Sequence, residues 1–317
     1  MVTVPKVSVI IPAYNVQQYI EAALTSLERQ SLHNFEALIV DDGSTDGTAE
    51  VALSFCQRDP RFRLLSKANG GLSSARNYGI QQAQAAYIAL LDADDAYEPE
   101  KLASHITRLD TEPQVGVVYS ASRIIREDGR PTWLRLSGKP IHQQPLLALL
   151  CKNFIGHGSN AVFRRSIVDE VGAFDETLAS SEDLDFWLRI AAQGHWNFYR
   201  QPQPLCCYRV RPSGLTFNIA QMQSCSEQVL AAAYQRSPEQ VGPMLPTARA
   251  YLARYLARLA LTAGKLAEAT RLVDCALAED ASIFWRDPRS LVTLAAVRLA
   301  PLAHLFIQRS LGSVTPS

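Results

Sequence analysis

Three carboxylates fall within four residues in Leu90-Leu91-Asp92-Ala93-Asp94-Asp95, directly after an apolar run. Like charges packed this closely are unfavourable without a cation or strong solvation. Carboxylate oxygens are hard donors that suit Mg2+ or Mn2+, ions that keep waters and complete their shell with substrate phosphates. The same residues also read as a solvated acidic turn ahead of a helix near Pro99, and a D-x-D alone is a common pattern. A second acidic cluster lies in Ser180-Ser181-Glu182-Asp183-Leu184-Asp185. Acids at a helix start complement its dipole. In a site, one of them can take the proton from a weakly nucleophilic hydroxyl such as that of a sugar, the role of a general base.

Three further segments carry polar groups suited to a nucleotide. Pro12-Ala13-Tyr14-Asn15 closes the first apolar run. Asp41-Asp42-Gly43-Ser44-Thr45-Asp46-Gly47-Thr48 closes the second. It reads as a turn and helix cap, or as a place where a carboxylate accepts from a pyrimidine ring N–H. Asn69-Gly70-Gly71 leads into Leu72-Ser73-Ser74-Ala75-Arg76-Asn77, where the glycines permit close backbone approach and Arg76 offers a charged fork to phosphate.

These clusters need a scaffold that brings them to one edge. Strand-like runs at 7–11, 35–40, 62–65 and 87–91 alternate with helix-like segments at 16–30, 48–58 and 73–83. Apolar strands alternating with helices indicate a parallel sheet covered on both faces, and ligands bind such sheets beyond the carboxyl ends of the strands. Residues 115–125, 159–163, 196–199 and 205–210 read as strands and 146–151, 167–171 and 184–193 as helices, extending the sheet into a mixed one. After about residue 220 the composition turns to Ala, Leu, Arg and Gln, and 247–263 with 266–278 read as a helical pair hinged at Gly264. One such pair, similar to a single tetratricopeptide-like repeat, cannot form a solenoid core, so a helical appendage is the simpler reading. The expected division is 1–220 and 221–317.

Composition narrows the function. The 317 residues are 47% hydrophobic and 20% charged with zero formal net charge, a globular chain without the basic excess of a nucleic-acid binder. No cysteines form a C-x-x-C pair, and Cys206-Cys207 is a poor chelating pair, so free thiols in a reducing compartment are expected. The leading apolar run, Val7 to Ile11, is too short for a secretory signal, and Ser290 to Leu311 is interrupted by Arg298, Pro301, His304 and Arg309. A cytoplasmic location follows as the expectation. Trp285, Phe284, Leu291, Leu294, Val297 and Phe306 with Arg286, Arg289, Arg298 and Arg309 also suit a helix lying on an anionic bilayer at its inner face, against the simpler reading of a packed helix.

Taken in order and spacing, VSVIIPAYN, VDDGSTDGT, NGGLSSARN, LLDADD, VGAFDE and SEDLDFWLRI resemble the family 2 glycosyltransferases over roughly residues 5 to 215. The resemblance implies an α/β chain of GT-A fold, a Rossmann-like mixed sheet with helices on both faces, followed here by a C-terminal α-helical appendage. It implies a nucleotide-diphosphate sugar donor, with a UDP-sugar expected, a glycan or lipid-linked sugar acceptor, Mn2+ or Mg2+, and a single displacement with inversion. Pro12, Tyr14 and Asp42 then fall at the nucleotide, with Tyr14 and Asp42 at the base. Arg76 lies near the nucleotide, Asp92 toward the ribose and Asp94 on the metal. Asp183 is the base, with Glu182 in reserve. Many relatives carry a His in a Tyr-Arg-x-His pattern where this chain reads Tyr208-Arg209-Val210-Arg211. Arginine cannot ligate a metal but can bind diphosphate. Acceptor selection falls between Arg130 and Phe163, where Trp133, His142 and His157 stand, His157 being expected near the site entrance. The rival readings are a catalytically silent sugar-nucleotide-binding module that recruits a partner through its helical tail, and a nucleotidyltransferase. The latter lacks a Walker sequence or G-x-G-x-x-G after the first strand.

Overall fold

The computed structural model describes residues 4–136, 144–211 and 218–311, with backbone alone from 301 onward. The chain forms two compact units, residues 1–149 with 153–211, and residues 150–152 with 212–317. His142 and the stretch from Pro212 to Phe217 lie outside the described residues.

The first unit alternates as its periodicity requires: β1 (Val7–Ala13), α1 (Gln17–Glu28), β2 (Phe35–Asp41), α2 (Thr48–Arg58), β3 (Phe62–Ser66), α3 (Leu72–Gln82) and β4 (Tyr87–Leu90). All seven residues of β1 and of β2 are buried, which only a sheet covered on both faces produces. α3 lies hard against that sheet: a Cβ on Gly79 would come within 2.5 Å of Ile10 Cγ2 and 3.1 Å of Val40 Cγ2. Then follow β5 (Ala96–Tyr97), α4 (Lys101–Thr111), β6 (Val115–Ile125), β7 (Pro131–Leu136), α5 (Pro145–Cys151), a 3-10 turn at Gly158–Asn160, β8 (Val162–Arg164), α6 (Ser166–Val171), α7 (Glu182–Ala192) and β9 (Asn197–Arg209). The sheet order is β3-β2-β1-β4-β8-β6-β9-β5, with β7 paired to β6.

Direction in this sheet decides where the polar clusters go. β1, β2 and β4 are parallel, with Ala13 opposite Asp41 and Ile10 opposite Leu90. β8 runs antiparallel to both β4 and β6, and β9 runs parallel to β6. The carboxyl ends of β1, β2, β4, β6 and β9 and the start of β8 therefore share one edge. The two segments expected as separate strands at 196–199 and 205–210 are a single β9. The register with β6 steps from Ser120↔Gln201 to Ala121↔Pro204, so Pro202 and Gln203 are accommodated as a bulge. The start of the segment expected as strand at 159–163 is instead the 3-10 turn.

The second unit is helical: α8 (Ile219–Arg236), α9 (Pro238–Val241), α10 (Leu245–Thr262), α11 (Leu266–Asp280), α12 (Ile283–Arg286) and α13 (Pro288–Leu311). The chain reverses between α10 and α11 at Gly264, φ +73°, and the pair closes over Leu256, Ala257, Ala260, Leu272 and Val273. Pro301 lies within α13 rather than ending it, since one lost N–H donor weakens a helix without necessarily stopping it. Phe284 and Val297 are buried and Leu294 is partly buried in this unit's cores, so they face inward and not toward a lipid surface. Trp285 and Leu291 are exposed as expected, and the side chains of Phe306 and Arg309 lie outside the described residues. Among the described residues no helix is long and apolar enough to cross a membrane. The six cysteines are free thiols.

Candidate active site

The loops after β1 and β2 are cross-bonded. Asn15, at φ +51°, receives Thr45 N–H on Oδ1 at 2.8 Å and donates its own N–H to Ser44 Oγ at 3.1 Å. Tyr14 is half exposed beside them, whereas Pro12 is buried inside β1 opposite Val40. Asp42 is buried and heavily engaged: Lys67 Nζ donates to Oδ1 at 2.6 Å, and the Gly70 and Gly71 amides donate to its carboxylate at 3.0 and 2.8 Å. It thus shapes the glycine turn that starts α3, where Gly71 sits at φ +87°. A nucleobase at this end would share a carboxylate already bound by the protein.

The acidic turn after β4 is held from the interior. Ser159 Oγ accepts the Asp92 N–H at 3.0 Å and donates to Asp95 Oδ2 at 2.6 Å, while Arg209 N–H donates to Asp95 Oδ1 at 2.8 Å. Asp95 is therefore a structural pin. Burial and the charges of Asp94 and Asp92 push its carboxyl well above the usual range. Lys101, fully buried on α4, donates to Asn160 O at 2.5 Å and so fixes the turn from which Ser159 projects. Burial lowers its ammonium to about 8.

His157 is not at an entrance. It is buried next to Asp95, with Nδ1 3.5 Å from Asp95 Oδ2, Nε2 2.7 Å from Ser122 Oγ, and its ring 4.4 Å from that of Tyr208. Burial lowers it to about 3, so the imidazole is neutral. Trp133 stands on β7, 89% exposed.

Arg76 joins the two acidic clusters. Its guanidinium, 1% exposed, donates to Asp92 Oδ1 at 2.7 Å and to Glu182 Oε1 at 2.5 Å. Burial alone would lower this arginine, but the charges of Asp92 and Glu182 outweigh it and hold it cationic. Burial would likewise raise Asp92; Arg76 overrides it and keeps the carboxyl below its ordinary value. Asn77, the next residue, bonds the backbone of Phe174 in both directions at 2.9 Å and so ties the segment before α7 to α3. Ser181, at φ +61°, then turns the chain into α7.

On that first turn Asp183 accepts from Asn153 Nδ2 at 3.1 Å and from Leu184 N–H at 2.7 Å. Burial and the Glu182 charge raise its carboxyl to about 7, against the pull of Arg76. A carboxylate poised near neutrality is suited to proton transfer.

Asp94 carries the remaining opening for a cation. Its Oδ2 pairs with Arg211 Nε at 2.8 Å, and Arg211 also lies 4.9 Å from the Tyr19 ring. Burial, then the Asp92 charge, raises Asp94 despite Arg211. Its donors are hard oxygens, so the residue fits Mg2+ or Mn2+ completed by phosphate and water. Among the described residues, the one group of three metal-ligating side chains close enough to enclose an ion by themselves is Asp95, His157 and Cys206. It does not suit a hard cation, because both Asp95 oxygens are already bonded and burial pushes the Cys206 thiol well up. An open depression of about 630 Å³ borders Tyr19, Glu127 and Arg209; neither Asp94 nor Asp183 lines it. Sequence reasoning missed Ser159, Asn160, Lys101 and Asn153, ordinary residues in loops and helices with no spacing signal of their own.

Residues 8–172 match the sequence profile described as Glycosyl transferase family 2. The chain is 33% identical over 220 residues to the uncharacterized glycosyltransferase EpsJ of Bacillus subtilis (strain 168), covering 67% of this chain and 63% of that protein. It is 29% identical over 208 residues to the hyaluronan synthase of Pasteurella multocida, covering 65% of this chain and 20% of that protein. The chain thus spans less than two thirds of the length of either relative. Among solved structures, the mannosyltransferase PcManGT from Pyrobaculum calidifontis, in complex with GDP-Man and Mn2+, superposes with a TM-score of 0.59 at 21% identity over 97% of this chain and 89% of that one. S. aureus TarS 1-349 in complex with UDP-GlcNAc superposes with a TM-score of 0.55 at 18% identity over 87% of this chain and 91% of that one. At these identities the likeness bears on the fold, and the fold is the GT-A architecture.

Proposed function

Because this chain belongs to glycosyl transferase family 2, we propose that it moves a sugar, with inversion, from a nucleotide-diphosphate donor to a hydroxyl of a glycan or lipid-linked acceptor. A UDP-sugar is the donor favoured by this reading, and the work is placed at the cytoplasmic face of a membrane. The observation that carries the proposal is Arg76, one buried guanidinium bonded at once to Asp92 of the acidic turn and Glu182 beside the candidate base.

In this reading Tyr14 and Asp42 meet the nucleobase and Asp92 faces the ribose. Asp94, with phosphate oxygens and water, would hold Mn2+ or Mg2+. When bound, such an ion polarises the diphosphate and neutralises charge on the leaving group. Arg76 fixes Asp92 and Glu182 and adds positive potential beside the departing diphosphate, and Arg211 can turn from Asp94 to a phosphate oxygen. Asp183 accepts the acceptor's proton as its oxygen attacks the anomeric carbon, and the bond to the diphosphate breaks on the opposite face. Asn153 orients that carboxylate through its 3.1 Å bond.

The test is incubation of the chain with UDP-, GDP- and dTDP-sugars and Mn2+, following release of nucleoside diphosphate. Release that needs the metal and vanishes in Asp183→Asn supports the transferase. Binding of a donor with no turnover under any condition supports the silent module, a reading favoured by the Arg211–Asp94 pair that already occupies the cation's carboxylate.

A further inference from the structure

α13 has apolar side chains on two faces, with Val297 and the partly buried Leu294 turned inward and a second aliphatic set turned outward. It buries Ser290 and Thr293, 0% and 5% exposed, together with Val297. It leaves Leu291, Val292 and Leu299 at 44%, 67% and 57% exposure, with the exposed Ala295 and Ala296 between them. Positions 291, 295 and 299 and positions 292, 296 and 299 repeat at three- and four-residue spacing, so these side chains make one stripe. The buried hydroxyls are satisfied locally: Thr293 Oγ1 donates to Arg289 O at 2.9 Å within α13, and Ser290 Oγ to Asp287 Oδ2, just ahead of it, at 3.5 Å. They need nothing from the core, and the aliphatic face is left for something apolar. Just ahead of the helix, Trp285 is 83% exposed.

Charge identifies the occupant. From Pro288 to Ser317 the sequence has Arg289, Arg298 and Arg309 and no acid; Arg286 precedes them, and Asp287 between it and the helix pairs with Arg254 of α10. Arg298 pairs with Asp274 of α11. That leaves Arg286 and Arg289 as the exposed cations beside the stripe, and two copies packed face to face through it would set these against an apolar face that carries no acid. A bilayer with anionic headgroups answers both features, taking aliphatic side chains toward its acyl region and arginines and a tryptophan at headgroup level. We propose that α13, with Trp285 before it, docks in the plane of an anionic lipid surface through Leu291, Val292 and Leu299. The inference supplies a surface for the membrane-face part of the proposed function and does not depend on the transfer chemistry.

Flotation of the full chain with vesicles of phosphatidylcholine alone, or mixed with phosphatidylglycerol, tests it at low salt. The chain should float with the anionic vesicles and not with the neutral ones. Val292→Glu with Leu299→Glu should lower the partition coefficient at least about tenfold, from the loss of two buried aliphatic side chains. Arg286→Glu with Arg289→Glu should weaken binding in a salt-dependent way. On the unsubstituted chain, anionic vesicles should shift tryptophan emission to the blue, and Trp285→Phe should remove that shift with the fold intact. No association with anionic vesicles overturns the proposal, and so does equal binding by the doubly substituted, folded chain. A concentration-dependent dimer dissolved by Val292→Glu with Leu299→Glu assigns the stripe to a second copy and also overturns it. Donor binding measured alongside reports on the transferase reading separately.

Discussion

Glu182→Gln should move the acid limb of the kcat/KM profile to lower pH. In the proposed mechanism Asp183 must be ionised to act, and burial with the Glu182 charge holds it at about 7. A base of that pKa is half ionised at neutrality and about one tenth ionised one pH unit below, so kcat/KM should fall about tenfold per unit on the acid side. An aspartate at its ordinary value would keep the profile flat down to about pH 5. Removing the Glu182 charge removes the second cause of the shift, while burial and Arg76 stay. Asp183→Asn should abolish the limb and lower kcat by about two to four orders of magnitude. The same shift acts on stability. Because the folded pKa lies above the unfolded one, the contribution is full below about pH 4 and is lost as pH rises through about 7. Its ceiling is about 4 kcal/mol, and the true value is smaller because the carboxyl keeps some contact with water. Asp183→Asn should therefore melt above the parent on the alkaline side and with it near pH 4. The assay is initial-rate nucleoside-diphosphate release across pH, paired with thermal melts. A flat parent profile, or an acid limb surviving in Asp183→Asn, refutes the reasoning.

Arg76→Ala should destabilise the fold by about 3–5 kcal/mol in thermal or denaturant melts, because it strands Asp92 and Glu182 without their shared cation. Gly158→Ala should lower both turnover and stability, the stability loss by no more than Arg76→Ala, since the new Cβ would press on Arg76 Nη2 and push the guanidinium off its two carboxylates; initial rates and melts together check both. Arg211→Gln should strengthen Mn2+ binding to the nucleotide-free chain, read by electron paramagnetic resonance, and weaken UDP binding, because Asp94 loses a competing cation and the diphosphate loses a partner.

What was legible in the sequence was whatever a short window records. Apolar runs with turn residues placed β1, β2 and β4, and their polar ends carried Tyr14, Asp42, Asp92 and Asp94. The division of β9 was misread because Pro202 and Pro204 look like breaks, and only pairing with β6 shows that a bulge absorbs them. The two-residue β5 and the partner strand β7 have no periodicity long enough to read. Arg76 was recognisable as a candidate for the site, yet its bond to Glu182 spans 106 positions and no spacing rule reaches that far. His157 was visible only as a histidine between glycines. That it lies buried beside Asp95 follows from β8 entering between β4 and β6, a fact of topology.

Topology also explains why these acids tolerate one another. Asp92 and Glu182 share Arg76, Asp94 pairs with Arg211, and Asp183 accepts from Asn153 and the Leu184 N–H without a bonded cation; burial, with the neighbouring acids, raises Asp94 and Asp183. Asp95 is held differently, by a hydroxyl and a backbone amide that donate to its two oxygens, which anchors the turn. A diphosphate arriving alone would add negative charge to a surplus of acid. In the proposed reaction Asp94 would hold a dication with the diphosphate, and the Arg211 fork now on Asp94 would then be available to the phosphate oxygens. The arginine that stands where many relatives have histidine thus fits an exchange of counter-ions rather than a missing ligand, and donor affinity should depend on cation and nucleotide jointly.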